Sequence, residues 1–247
     1  WKAKNIAKGV AADPHLQKLA LEGKEWAAQQ GALDAVPSDK ADLGTAVHLA
    51  TEIYDRFGCR DEAMFAVEEL RWEWTPKRRE WVSLDSVAAH LDQWILARRR
   101  FGIVPVLIEA TVCHATAEYA GTMDRAVEID LPNVAEVIHP GCRLAHVLDV
   151  KTGAKVWPDV ALQIVGYARA THRWNAATDT VAPLDGLCPD VGIVAALHED
   201  ACKAHPPDLR DAWPTFSAAL LAWRWQNGLS AHVVGDPLLN PGSLAPW

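Results

Sequence analysis

The chain changes character near residue 104, and that change restricts the folds open to it. Ahead of it, apolar residues recur at helical steps. Leu43, Val47, Ala50, Tyr54 and Phe57 follow one another at intervals of four and three, which makes one apolar face and predicts a helix over 42–57 that Gly58 ends. A second helix is expected over 85–100, begun by Ser83-Leu84-Asp85-Ser86. Beyond it, Val104–Cys113, Tyr119–Ile129 and Leu144–Val150 read as three strands, the third closed by Lys151-Thr152-Gly153. Pro158 opens a helix expected to run to about Trp174, Val191–Leu197 reads as a fourth strand, and a last helix spans Leu209–Asn227, ended by Gly228.

Strands in a block, rather than in strict alternation with helices, point to an α/β (α+β) fold: a central mixed β-sheet flanked by helices on both faces. The expected organisation is a single domain over 1–247. An N-terminal helical extension covers 1–40 and ends in the turn-like Val36-Pro37-Ser38-Asp39. The core covers 41–228, and 229–247 forms an extended tail.

Composition narrows the class. Of 247 residues, 50% are hydrophobic and 23% charged, the balance of a globular chain. The longest uninterrupted apolar stretch is Val191–Leu197, against the roughly 20 residues a membrane-spanning helix needs. No charged-then-apolar leader with a small-residue cleavage site is read, so a cytoplasmic location with no membrane partner is expected. A formal charge of −8 argues against coating nucleic acid by bulk electrostatics, but not against local patches such as Lys77-Arg78-Arg79 and Arg98-Arg99-Arg100. Five cysteines without a CxxC pair form no disulfide framework, which agrees with a reducing compartment. Most of the twelve tryptophans read as packing residues.

The chemistry concentrates around Leu148-Asp149-Val150-Lys151. Residues two apart on a strand share a face, so Asp149 and Lys151 point the same way and Leu148 and Val150 the other. A carboxylate binds a hard cation through oxygen, and an ammonium orients a water or stabilises developing negative charge. Upstream lies Gly121-Thr122-Met123-Asp124-Arg125. The spacing from Asp124 to Asp149 is that of a strand, a connection and a returning strand, so an antiparallel pair brings the two carboxylates together. Converging carboxylates call for a divalent cation, and Gly121 permits close approach of backbone or substrate. Downstream, Gln163 and Tyr167 are four apart on one helix face, where an amide and a phenol can hold a phosphate backbone or position the lysine. His48, at the edge of the first helix's apolar face, can ligate the same metal.

This set resembles the PD-(D/E)XK nuclease superfamily, in its RecB-like branch of recombination-helicase nuclease domains, small CRISPR-associated nucleases and phage exonucleases. The resemblance covers roughly residues 41–200. His48 matches the first element, Gly121-Thr122-Met123-Asp124 the "G-x-x-D" strand, Asp149-Val150-Lys151 the "D-x-K" strand, and Gln163 with Tyr167 the "Q-x-x-x-Y" helix. It implies a restriction-endonuclease-like core and Mg²⁺ or Mn²⁺ held by His48, Asp124, Asp149 and the carbonyl of Val150. Catalysis would fall to Asp124, Asp149 and Lys151, with Lys151 assisting the attacking water. Strand positioning would fall to Gln163, Tyr167, Gly121 and Arg125. Glu109 reads as a sheet-edge charge, with contact to a metal through water as the alternative.

The activity so implied is hydrolysis of DNA phosphodiesters by an exonuclease in recombination, repair or phage DNA processing, as a homo-oligomer or with a recombination partner protein. An endonuclease is the enzymatic alternative, and a non-catalytic DNA-binding or assembly subunit the alternative from another class. Some relatives hold an iron–sulfur cluster with one cysteine ahead of the histidine. Here none precedes His48 and only Cys188 and Cys202 lie late, so no such cluster is expected. The set Cys188, His198, Cys202 and His205 lacks the paired spacing of a structural zinc site. No P-loop is found, so a helicase–nuclease fusion is not expected.

Overall fold

The computed structural model describes residues 39–74, 82–130, 132–140, 144–153, 156, 158–175 and 177–225. The expected extension over 1–40 (but for its last two residues), the Lys77–Arg79 cluster, Cys142 and the extended tail over 229–247 lie outside the described residues. Among those described, six helices accompany a seven-stranded mixed sheet, an α/β arrangement. The helices are α1 (Asp39–Phe57), α2 (Arg60–Trp72), α3 (Leu84–Phe101), α4 (Pro132–Ile138), α5 (Asp159–Ala168) and α6 (Ala212–Arg224). The strands are β1 (Ile103–His114), β2 (Tyr119–Ile129), β3 (His146–Lys151), β4 (His172–Asn175), β5 (Thr180–Pro183), β6 (Ile193–Leu197) and β7 (Cys202–His205). Their order across the sheet is β5-β4-β1-β2-β3-β6-β7. No helix among the described residues is long and apolar enough to cross a membrane.

The chain packs into two compact units. The first gathers Trp1–Arg99, Val150–Ala154 and Ala196–Cys202, and the second Arg100–Asp149, Lys155–Ala195 and Lys203–Trp247.

In the first unit, α1 buries Ala46, Val47 and Ala50 on the apolar face read from the sequence. Gly58 ends it at φ +71, donating its N–H to the Tyr54 carbonyl at 2.8 Å, the left-handed stop that glycine adopts without a Cβ penalty. Ser83 caps α3, its Oγ accepting the N–H groups of Asp85 and Ser86 at 3.2 and 3.4 Å. Val87, His90, Leu91, Trp94 and Ala97 then line the buried face of α3. Asp55 ties α1 to α3. Its carboxylate is fully buried and accepts Trp94 Nε1–H at 2.9 Å and an Arg98 N–H at 2.8 Å. Helix α2 was not read from the sequence because it buries only Ala63 and Val67, too narrow a stripe to register as a period.

In the second unit, β1 and β2 form a long antiparallel hairpin, and β3 joins β2 antiparallel. Met123, Ala126, Val147, Ile164, Val165, Val194 and Leu209 lie at the centre of the core that α5 and α6 share with the sheet. Two glycines permit this packing. A Cβ on Gly192 would stand 2.3 Å from Ile164 Cγ2, and one on Gly166 would stand 3.0 Å from the Phe216 ring. The helix expected to reach Trp174 stops at Ala168. His172 and Arg173 pair instead with Cys113 and Val112 of β1, and Thr171 N–H donates to the Cys113 carbonyl at 2.9 Å. Satisfying the open backbone edge of β1 outweighs the weak helix preference of Thr171–Trp174. Strands β4, β5 and β7 and helix α4 are each too short to have shown a period.

Asp55→Ala removes one acceptor from two donors, one of them on a fully buried Trp94, and should cost about 3 kcal/mol in urea unfolding. His146 is 2% exposed, its Nδ1–H donating to the Val191 carbonyl at 3.2 Å. Burial lowers its pKa, and the Val191 bond only partly opposes this. Below about pH 6.5 the unfolded chain therefore takes up a proton that the folded chain refuses, and stability falls as the pH drops. Urea midpoints at pH 7.5 and 5.5 should differ more in the native sequence than in His146→Gln; equal differences would contradict this account.

Candidate metal and phosphodiester site

The backbone register of the second unit carries the site. β1 pairs Ile108 with Arg125 and Ala110 with Met123, which sets Glu109 opposite Asp124. β2 pairs Arg125 with Leu148. Asp149 thus follows directly on the last bonded β2–β3 pair, on the strand next to that of Asp124. One carboxylate oxygen of Glu109 and one of Asp124 lie within 4.8 Å of each other. At that separation two full charges repel by about 3 kcal/mol at an effective dielectric near 20, unless positive charge stands close by. Asp149 is only 3% exposed, so the surface charge pair that an isolated Asp-x-Lys would suggest is not what forms here. The other residues of β3 from His146 to Val150 are buried as well.

Glu109, expected as a sheet-edge charge, lies on β1 beside Asp124 of β2, and β4 pairs with β1 at Val112 and Cys113. Its backbone adopts φ +47, the left-handed region that costs a non-glycine residue about 1 kcal/mol or more. The apolar residues flanking this point, Leu107 with Ala110 and Met123 with Ala126, step by three and join one core, where a regular strand steps by two. The signal available in the sequence was an acid midway along an otherwise apolar strand.

The glycine and the helix pair also come together. A Cβ on Gly121 would stand 2.8 Å from Tyr167 Cε1 and 3.3 Å from its hydroxyl, so only glycine leaves room for that ring. Gln163 Nε2–H donates to the Tyr167 hydroxyl at 3.4 Å, with Gln163 exposed and Tyr167 half-buried. Gly121, Gln163 and Tyr167 form one surface at the flank of the hairpin.

The remaining candidates are placed as follows. Val150 is fully buried and Lys151, the last residue of β3, is half-buried; both belong to the first unit. His48 is half-buried on α1, also in the first unit. Arg125 is fully buried and offers no accessible guanidinium surface, so this geometry does not support direct contact between it and a bound strand. Arg98 is drawn into the pair with Asp55 and lies 5.6 Å from the Tyr54 ring centre. Arg99 and Arg100 stay exposed. Cys188 is buried with its thiol 3.0 Å from His139 Nδ1, a packing partner that the sequence did not reveal.

Carboxylate oxygens are the donors that hard divalent cations such as Mg²⁺ and Mn²⁺ prefer, and Glu109 and Asp124 bring one such oxygen each within 4.8 Å of the other. Gly121→Ala should displace the Tyr167 ring and cost about 1–3 kcal/mol in denaturant unfolding, whereas Gly58→Ala, at a left-handed position with no atom within 4 Å of the added Cβ, should cost less. Equal costs would contradict the tight Gly121–Tyr167 contact. No protein-family model matches this chain, and no curated protein matches it.

Proposed function

We propose that the chain is a divalent-metal-dependent deoxyribonuclease of the PD-(D/E)XK kind, with a restriction-endonuclease-like core, acting as an exonuclease on DNA ends. The observation that carries the reading is Glu109 beside Asp124 on β1 and β2, with Asp149 on the neighbouring β3 and Lys151 two residues beyond it on that strand. Four short motifs in family order add to it, together with Gly121 making room for Tyr167 beside Gln163.

In this reading Glu109 and Asp124 would hold Mg²⁺ or Mn²⁺, with Asp149, His48 and the Val150 carbonyl as further ligands from the resemblance. The bound ion would supply Lewis acidity at a phosphoryl oxygen. Lys151 holds and orients the attacking water and stabilises charge that develops on the phosphate. Tyr167 and Gln163 present a phenol and an amide to the strand's backbone. The buried setting of Asp149 keeps competing water away and strengthens each of these electrostatic contacts.

End-labelled linear and closed circular DNA, incubated with Mg²⁺, Mn²⁺ or EDTA, tests this. Linear DNA alone should be degraded, only with metal. Asp149→Ala should abolish the loss, and Lys151→Ala should slow it by roughly 10²-fold or more. Cleavage of circles would convert the reading to an endonuclease. No cleavage under either metal, with DNA still bound, would favour a binding subunit. An unimpaired Lys151→Ala would remove the role given to that lysine.

A further inference from the structure

Beyond the Glu109–Asp124 pair, the second unit contains a cavity of about 330 Å³ at the turn end of the β1–β2 hairpin, lined among others by His114, Arg169, Leu184, Asp185, Leu187 and Trp213. We infer that this cavity is a nucleotide subsite, taking a base with its attached phosphate. That ligand is the terminal nucleotide of a DNA strand or a free nucleoside monophosphate.

The walls match the ligand in three ways. First, they carry planar groups. The Arg169 guanidinium lies 5.3 Å from the Trp213 ring centre, and His114 stacks on Trp213 at 6.2 Å and 14°. Layers of arginine and aromatic rings are the surface on which unpaired bases stack. Second, they carry the right polar groups. Asp185 is exposed at the cavity and offers carboxylate oxygens to the N–H groups of a base edge, most fully to guanine, which presents two adjacent donors. Arg169 is partly exposed and its terminal nitrogen reaches Asp190 only at 3.7 Å, which leaves guanidinium N–H groups for a phosphate. Third, the volume suits one nucleotide, and the half-buried Leu184 and Leu187 offer apolar contact to the base.

The cavity is also built rigidly. Trp213 stacks on Phe216 at 5.7 Å, and the Phe216 ring sits against Gly166. Tyr119 meets Phe216 edge-on at 5.0 Å and donates its hydroxyl to the Gly166 carbonyl at 2.8 Å. Burial pushes the Tyr119 hydroxyl up to about 12, so it stays a donor at any working pH.

Position ties the cavity to the proposed site. Ala168 and Arg169 of its wall directly follow Tyr167, the residue packed against Gly121. His114 and Glu109 share β1, about 16 Å apart at the strand's rise. That distance is on the order of five nucleotides at the ~3.4 Å rise of a stacked strand. That the ligand is a strand end rests on the nuclease reading; that the cavity binds a nucleotide does not.

The test is calorimetric titration in EDTA with dGMP, deoxyguanosine, inorganic phosphate and a 5′-phosphorylated hexanucleotide. dGMP should bind saturably and more tightly than either of its halves, and Arg169→Gln and Trp213→Leu should each weaken it at least tenfold. Arg169→Gln alters a partly exposed side chain, so it decides the matter if Trp213→Leu fails to fold. Equal weakening of the hexanucleotide identifies a strand end as the ligand, whereas an unaffected hexanucleotide identifies the free nucleotide. No saturable dGMP binding, binding unchanged by Arg169→Gln, or phosphate binding as tightly as dGMP would overturn the inference. Because EDTA removes the metal, dGMP binding by a protein that cleaves no DNA would leave the subsite standing and sink the nuclease reading. Cleavage without dGMP binding would do the reverse.

Discussion

Glu109 and Asp124 hold carboxylate oxygens within 4.8 Å of each other, and Asp149 lies on the next strand. Like charges so placed push apart, and a flexible chain would relieve the repulsion by moving. The scaffold does not permit that. β2 is bonded on both sides, β3 is buried along nearly its whole length, and Asp149 is covered with it. Glu109 is held in a left-handed backbone conformation within a paired strand. A divalent cation held between carboxylates so placed would offset their repulsion, as the proposed function requires.

Helix α5 connects that point to the rest of the second unit. Its buried residues Val160, Ile164, Val165 and Ala168 anchor it on the sheet core. Gln163 and Tyr167 are thereby carried to Gly121, where the missing side chain admits the tyrosine ring. The helix ends one residue later because β1 takes the following residues as strand β4. That early stop creates the wall of the aromatic cavity, so one backbone event shapes both the flank of the acidic pair and the proposed nucleotide subsite. In the first unit, the comparable fixed point is the buried Asp55 carboxylate joining Trp94 and Arg98.

The long elements were legible because each has a buried face wide enough to leave a period. The α1, α3, β1 and β2 boundaries agree with the sequence to within a few residues, and the Gly58 stop is where its chemistry requires. Short pieces left none: α2 buries two residues, and β4 and β5 are largely exposed strands of four. The site was legible in part. That Asp124 and Asp149 lie on neighbouring antiparallel strands follows from spacing alone. The nearness of Glu109 to Asp124 depends on the register between two strands, and the burial of Arg125 on which face of β2 is covered, and nothing local fixes either.

By itself, the sequence determined the block of strands between helices, the antiparallel neighbourhood of the Asp124 and Asp149 strands, the Asp149–Lys151 face and the glycine at 121, since each depends on local period or on short chain separation. Only the tertiary structure decided that Glu109 stands beside Asp124, that Arg125 is enclosed, that the helix ends at Ala168 and that Arg169, Trp213 and His114 share a cavity. Those outcomes depend on which backbone edges pair and which faces are covered. That is a competition among distant segments, settled by hydrogen bonding and burial over the whole sheet, and no local pattern encodes it.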